Sequence, residues 1–164
     1  MMVYLARLEE TFLSPWIRET GWVFFSSLIF HSLALALVIG VSLVILWREL
    51  GFAVGIPASR LVGFVPLAKL GLVIVLVSGC LLLLAYPAKA LTNPVFYLKL
   101  AAIAFALFIT WRILNSNTQT DPEPGGPGAR RALAGLGLLL WLTSIAAGRF
   151  LAYTHSVLLA SSFY

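Results

Sequence analysis

Cysteine is nearly absent. One residue, Cys80, in a chain of 164 cannot make a disulfide framework or a cysteine-based zinc site. Charge is scarce too. Charged residues are 10% of the chain, against roughly 25% in an average soluble protein. Only six residues are acidic, and none falls inside the long apolar runs described below. That argues against a carboxylate-based proton pump or di-metal site. The eleven Lys and Arg are scattered without a basic run, so the net charge of +5 does not mark a nucleic-acid binder. Positive-inside bias and lipid headgroups account for it. There is no Gly-rich phosphate loop, nucleophile elbow or metalloprotease helix. Apolar side chains are what the chain has in quantity, at 61%. That excess excludes a soluble enzyme, a secreted disulfide scaffold and a disordered chain.

Four apolar runs stand out, at about 21–47, 61–86, 94–114 and 132–153. Each has or exceeds the ~20 residues that cross a hydrocarbon core of roughly 30 Å. Isolated strands cannot span lipid with unpaired backbones, and barrel strands would be shorter and would alternate. The expected fold is therefore all-α: a polytopic four-transmembrane-helix bundle over 21–164. The segment from Arg48 to Arg60 is expected to turn, and Pro87 to Asn93 to form a tight link. Asn115 to Arg131 (NSNTQTDPEPGGPGARR) is the one strongly polar run, and its Pro and Gly content predicts an irregular aqueous loop.

Residues 1–20 differ in kind. Tyr4, Leu8, Phe12 and Trp16 recur every four positions, which predicts an interfacial amphipathic helix. Ser14-Pro15 predicts a cap followed by a first-turn proline. Acidic residues at the start, and a long apolar run without a clear cleavage site, do not suit a signal peptide. Outside the spans one side carries Arg7, Arg18 and Lys89. The other carries Arg48, Arg60, Arg112, Arg130 and Arg131, with Lys69 near it. The balance predicts periplasmic termini and cytoplasmic long loops.

Three stretches taken together look familiar: FHSLALALVIGVSLVILWRELGF, LVSGCLLLLAYPAKALTNPVFYLKLAAIAFAL and LLLWLTSIAAGRFLAYT. They resemble a family of small bacterial four-helix inner-membrane proteins classed as a domain of unknown function. Its members have a His early in the first long span and an Arg-x-Leu-Gly ending to it. They also have an Asn-Pro before the third span, a Lys soon after, and a Trp…Gly-Arg pattern in the fourth. The matching residues are His31, Arg48, Asn93 with Pro94, Lys99, Trp141 and Gly148 with Arg149. The match runs from Gly21 to Tyr153 apart from the polar loop. Glu49 departs from it, standing where an apolar residue is expected before Leu-Gly. The family is distantly similar to membrane cytochrome b and copper-resistance D-type bundles. The resemblance implies a fold and an inner-membrane location, and it carries no activity.

His31 lies about ten residues into a run without charge. Ionisable groups inside lipid are costly and face the bundle. A neutral imidazole there can be an axial ligand of haem iron, or it can simply hydrogen-bond a neighbouring helix, with Ser27 one turn away. Lys99 and Arg149 lie near the same membrane face, each ~8 Å below it, with His31 ~15 Å below at 1.5 Å per residue. Two cations above one imidazole suit haem b with its propionates, a quinone headgroup or a bound lipid phosphate. Snorkelling to the headgroups is the other reading of Lys99 and Arg149. A second axial ligand is hard to place. Met1 and Met2 are the only methionines, and His155 is the only other histidine. Small-residue stripes occur at Ser32, Ala36 and Gly40, at Ala102, Ala106 and Thr110, and at Ser144 and Gly148. They serve bundle packing or another chain. Trp22, Tyr86, Tyr97, Trp111 and Tyr153 fall near span ends and predict an interfacial belt.

Three functions are in contention. The first is a small membrane subunit of a larger bacterial assembly, electron-transfer or respiratory, without turnover of its own and partnered by lipid and other membrane subunits. The second is a b-type haem or quinone protein built on His31. The third is a small transporter or copper-handling protein, which lacks methionine, cysteine or carboxylate clusters along its spans.

Overall fold

The computed structural model describes residues 13–53, 55–116 and 126–161, and the ordered elements among them are all helical. They are α1 (Leu13–Glu19), α2 (Gly21–Leu50), α3 (Ala58–Val62), α4 (Val65–Ala85), α5 (Pro87–Leu91), α6 (Pro94–Ser116) and α7 (Gly126–Ser161). Four stretches are long and apolar enough to cross a membrane: Gly21–Leu50, Ser59–Ala85, Pro94–Ser116 and Gly126–Leu151. This suggests a multi-pass membrane protein. The expected stripe at Tyr4, Leu8 and Phe12, and the side chain of His155, lie outside the described residues.

The helix ends follow from local chemistry. Gly51 closes α2 with φ of 97°. Its N–H bonds the Arg48 carbonyl at 3.1 Å, and that of Phe52 bonds the Trp47 carbonyl at 3.1 Å. This double closure needs a left-handed residue, which glycine adopts without a Cβ penalty. The Arg48 Nε–H then donates to the Ile56 carbonyl at 2.8 Å and ties down the turn. Asn93 caps α6, its side-chain oxygen accepting from the Val95 N–H at 2.9 Å, and Pro94 takes the first helical position.

Two local expectations are corrected. The polar run does not stay irregular to Arg131, because α7 begins at Gly126. Pro127 falls in the first turn, where a missing N–H costs nothing. Arg130 is anchored there by Glu49, through Nε–Oε1 at 2.8 Å and Nη2–Oε2 at 2.9 Å. Ser14 does not cap its own helix. It is buried, and its hydroxyl donates to the Ala85 carbonyl at 3.1 Å, closing the end of α4 instead. With Ile17 also buried, α1 packs on α4 and α2.

α6 and α7 form the most extensive helix pair, followed by α2 with α4. α2 also touches α7 and α6, whereas α4 has little direct contact with either. α2 is thus the hub, with α4 on one flank and the α6–α7 pair on the other. Gly21, Ala85, Pro94 and Leu151 gather at one end, the terminal end. Leu50, Val65, Ser116 and Gly126 gather at the other, the loop end. The core lies between α2, α6 and α7 around Leu46, Ala106, Ile109, Ile113, Ala134 and Trp141. Glycine permits the close approaches: a Cβ on Gly137 would sit 3.1 Å from both Leu46 Cδ atoms and 3.3 Å from Ile109 Cγ2. Outward faces are apolar, as at Phe25, Leu33, Leu76, Phe105 and Leu142. Water would not tolerate patches of that extent, but hydrocarbon does.

The small-residue stripes part company in the fold. Ala102, Ala106 and Thr110 are buried, as is Ser144, so α6 and α7 use theirs for packing. Ser32, Ala36 and Gly40 are all exposed.

Candidate functional site

His31 sits toward the terminal end of α2, on the side facing α4. Its Nδ1 is 3.0 Å from the Ser78 hydroxyl oxygen. Ser78 is the one serine of α4, and its hydroxyl donates back to the Ile74 carbonyl, with the Val75 carbonyl at 3.3 Å. A hydroxyl has a single proton. With that proton on a carbonyl, the Ser78 oxygen accepts, and the imidazole donates from Nδ1–H. The Val75 carbonyl is a further hydrogen-bonding neighbour of the ring. Nε2 is then the unprotonated nitrogen, with its lone pair free. Metal-binding histidines are held in the same way, one nitrogen donating to a protein group and the other ligating.

Gly79 makes the seat for the ring. A Cβ there would lie 3.3 Å from His31 Cε1 and 3.6 Å from Nδ1. Alanine would push the imidazole by a few tenths of an ångström and spoil its bond to Ser78. Ser27, the neighbour expected from the sequence, does not serve His31. Its hydroxyl donates to the Val23 carbonyl of its own helix at 2.7 Å.

Lys99 is in the second turn of α6, behind the Asn93 cap and close to Tyr97, whose hydroxyl donates to the Leu91 carbonyl at 2.9 Å. The Lys99 stem and ammonium lie against α7 at Gly148, where a Cβ would be 3.7 Å from both Cε and Nζ. Its charge acts on the His31 imidazole. Arg149, the next residue along α7, is exposed, about 100° around the helix from Gly148.

The residues brought into one neighbourhood are therefore His31, Ser78 and Gly79, with Lys99 and Gly148 within electrostatic range. The sequence reading missed Ser78 and Gly79. The signal was there, a Ser-Gly pair inside an aliphatic run, but nothing local said that it faced His31. Among the described residues no three His, Cys, Asp or Glu gather in a metal-binding group. The donor set for iron is thus one imidazole. Its free Nε2 fits an axial haem ligand, and the Lys99 ammonium fits a propionate, a phosphate or a quinone oxygen. Compared with known proteins, the chain matches no protein-family model, no curated protein and no solved structure, so its chemistry is argued from its own residues.

Proposed function

We propose that the chain is a small integral subunit of a larger bacterial inner-membrane assembly that handles electrons, with no turnover of its own. The observation that carries this reading is the side of α2 that the fold leaves uncovered. Ser32, Ala36 and Gly40 are exposed there, on the opposite side of the helix from buried Ala34, Val38 and Ile45. A Cβ on Gly40 meets nothing within 4 Å. Small residues four apart let a second helix backbone come close. The connections are short, which leaves few ways to hold a soluble substrate and suits a docking role. Gly40→Leu tests it. The variant should keep the thermal stability of the isolated protein and lose co-purifying membrane subunits at least about tenfold, the equivalent of ~1.4 kcal/mol. Unchanged co-purification would remove the face as an interface.

His31 favours a second reading, in which the site binds haem b or a quinone. The free Nε2 lone pair supports it, as does a cation in range. Detergent-purified protein should then show a Soret band with reducible α and β bands, or yield a quinone on solvent extraction. His31→Ala should abolish either, and Lys99→Gln should only weaken it, because a propionate or carbonyl contact is worth less than an iron ligand. Colourless, quinone-free protein from native membranes would leave the docking role alone.

The charge count supports periplasmic termini, and the apolar stripe of residues 1–20 supports an arm lying on the membrane or on a partner. With Cys80 replaced by alanine, a cysteine at Ser116 should resist membrane-impermeant reagents in intact spheroplasts. Prompt labelling would invert the orientation.

A further inference from the structure

Six polar side chains are buried among the described residues: Ser14, Ser27, Ser42, Ser78, Thr110 and Ser144. Five donate to backbone carbonyls, four of them to the residue one turn back in the same helix. Ser144 does not. Its hydroxyl is 1% exposed at the residue level and has no partner. One turn away on the same face of α7, the indole N–H of fully buried Trp141 has no partner either. Residues three apart on a helix have Cβ atoms roughly 5–6 Å apart. Two orphaned groups therefore lie side by side, in a bundle that satisfies the rest of its buried hydroxyls. Each unsatisfied group costs about 1–3 kcal/mol.

The facing helix leaves room. Lys99 meets Gly148 and Ile109 meets Gly137, so the antiparallel register places Ala102 and Ala106 opposite Ser144 and Trp141. Both alanines are buried and present only a methyl group. An oxygen atom supplied from outside the chain would accept from the indole and bond the hydroxyl. Water is small enough for a site walled by alanine, and two protein partners meet its minimum. We propose that an internal water molecule bridges the Trp141 N–H and the Ser144 hydroxyl between α6 and α7. The site lies one turn toward the loop end from Gly148, where the Lys99 ammonium packs. It carries polarity inward from Lys99 into the middle of the bundle.

A double-substitution cycle on the full chain in detergent, read with indole NMR, tests this. Ser144→Ala should shift the folding equilibrium about 5- to 30-fold in the native background. In a Trp141→Phe background it should have little effect, because the bridge is already gone. The Trp141 indole proton, assigned by its loss in Trp141→Phe, should show magnetisation transfer from a bound water and move upfield in Ser144→Ala. Equal Ser144→Ala effects in both backgrounds would overturn the proposal. Coupling without a water signal would mean a direct Trp141–Ser144 bond and would overturn it as well. The cycle does not depend on how much packing Trp141→Phe itself loses, since the reading is the difference between two Ser144→Ala effects.

Discussion

Gly71→Leu should pull α4 away from α2 and cost the protein about 1–3 kcal/mol or more in thermal unfolding. A Cβ at Gly71 already falls 3.0 Å from Val38 Cγ2, 3.2 Å from Leu37 Cδ2 and 3.4 Å from the Ala34 carbonyl oxygen. The Leu37 tip can rotate away. Val38 is branched at Cβ and stiff, and the Ala34 oxygen is backbone, so neither yields. Three further carbons have nowhere to go except between the helices. α4 leans mainly on α2, so no other large contact would hold it in place. Gly71→Ala should show the same trend at smaller size. Gly40→Leu, on the open side of α2, is the matched control and should leave the melting temperature within a degree or two. The His31–Ser78 contact belongs to the same helix pair, so Gly71→Leu should also reduce any ligand bound at His31. A melting temperature equal to wild type for Gly71→Leu would mean that the two helices are not packed at this distance.

Glu49→Ala should cost about 1.5–3 kcal/mol, the range for hydrogen bonds to charged groups. Glu49 and Arg130 meet through two parallel contacts, and their side chains are 12% and 25% exposed. Fork-to-fork geometry of this kind is stronger and more directional than a surface pair. Removing the carboxylate leaves a guanidinium half out of water at the head of α7. The loss should be local. Amide exchange should accelerate over 126–133 and at the end of α2, with little change near Trp141. Glu49→Arg combined with Arg130→Glu should recover part of the loss. Indifference to Glu49→Ala would place the pair among screened surface contacts worth about 0–1 kcal/mol. Glu49, the residue that departs from the family resemblance, thus has a structural task of its own: it fastens the α2 end to the start of α7.

The long apolar runs were legible because length and the scarcity of charge need no tertiary context. The two helix ends that turned out differently were missed for one reason. Pro127 and the glycines around it read as breakers, yet a proline in the first turn is harmless once Arg130 has a carboxylate to hold it, and that carboxylate lies 81 positions away in sequence. Ser14 looked like a cap and is one, but for α4. In each case the deciding partner was distant along the chain.

His31 and Lys99 were readable as candidates from cost alone, since a polar group in an apolar run needs a reason. Their surroundings were not readable. Ser78 as acceptor, Gly79 as seat and Gly148 as the surface under Lys99 all come from neighbouring helices, and a helix pattern fixes a face but not what meets it. Composition by itself determined that this protein is helical, with four helices long and apolar enough to cross a membrane, because backbone groups in lipid must be satisfied within each segment. Only the tertiary structure decided which small-residue stripe is used and which is left open, which nitrogen of His31 carries the proton, and which buried polar groups lack a partner. Those depend on register between helices, which close-packed side chains set and hydropathy does not encode.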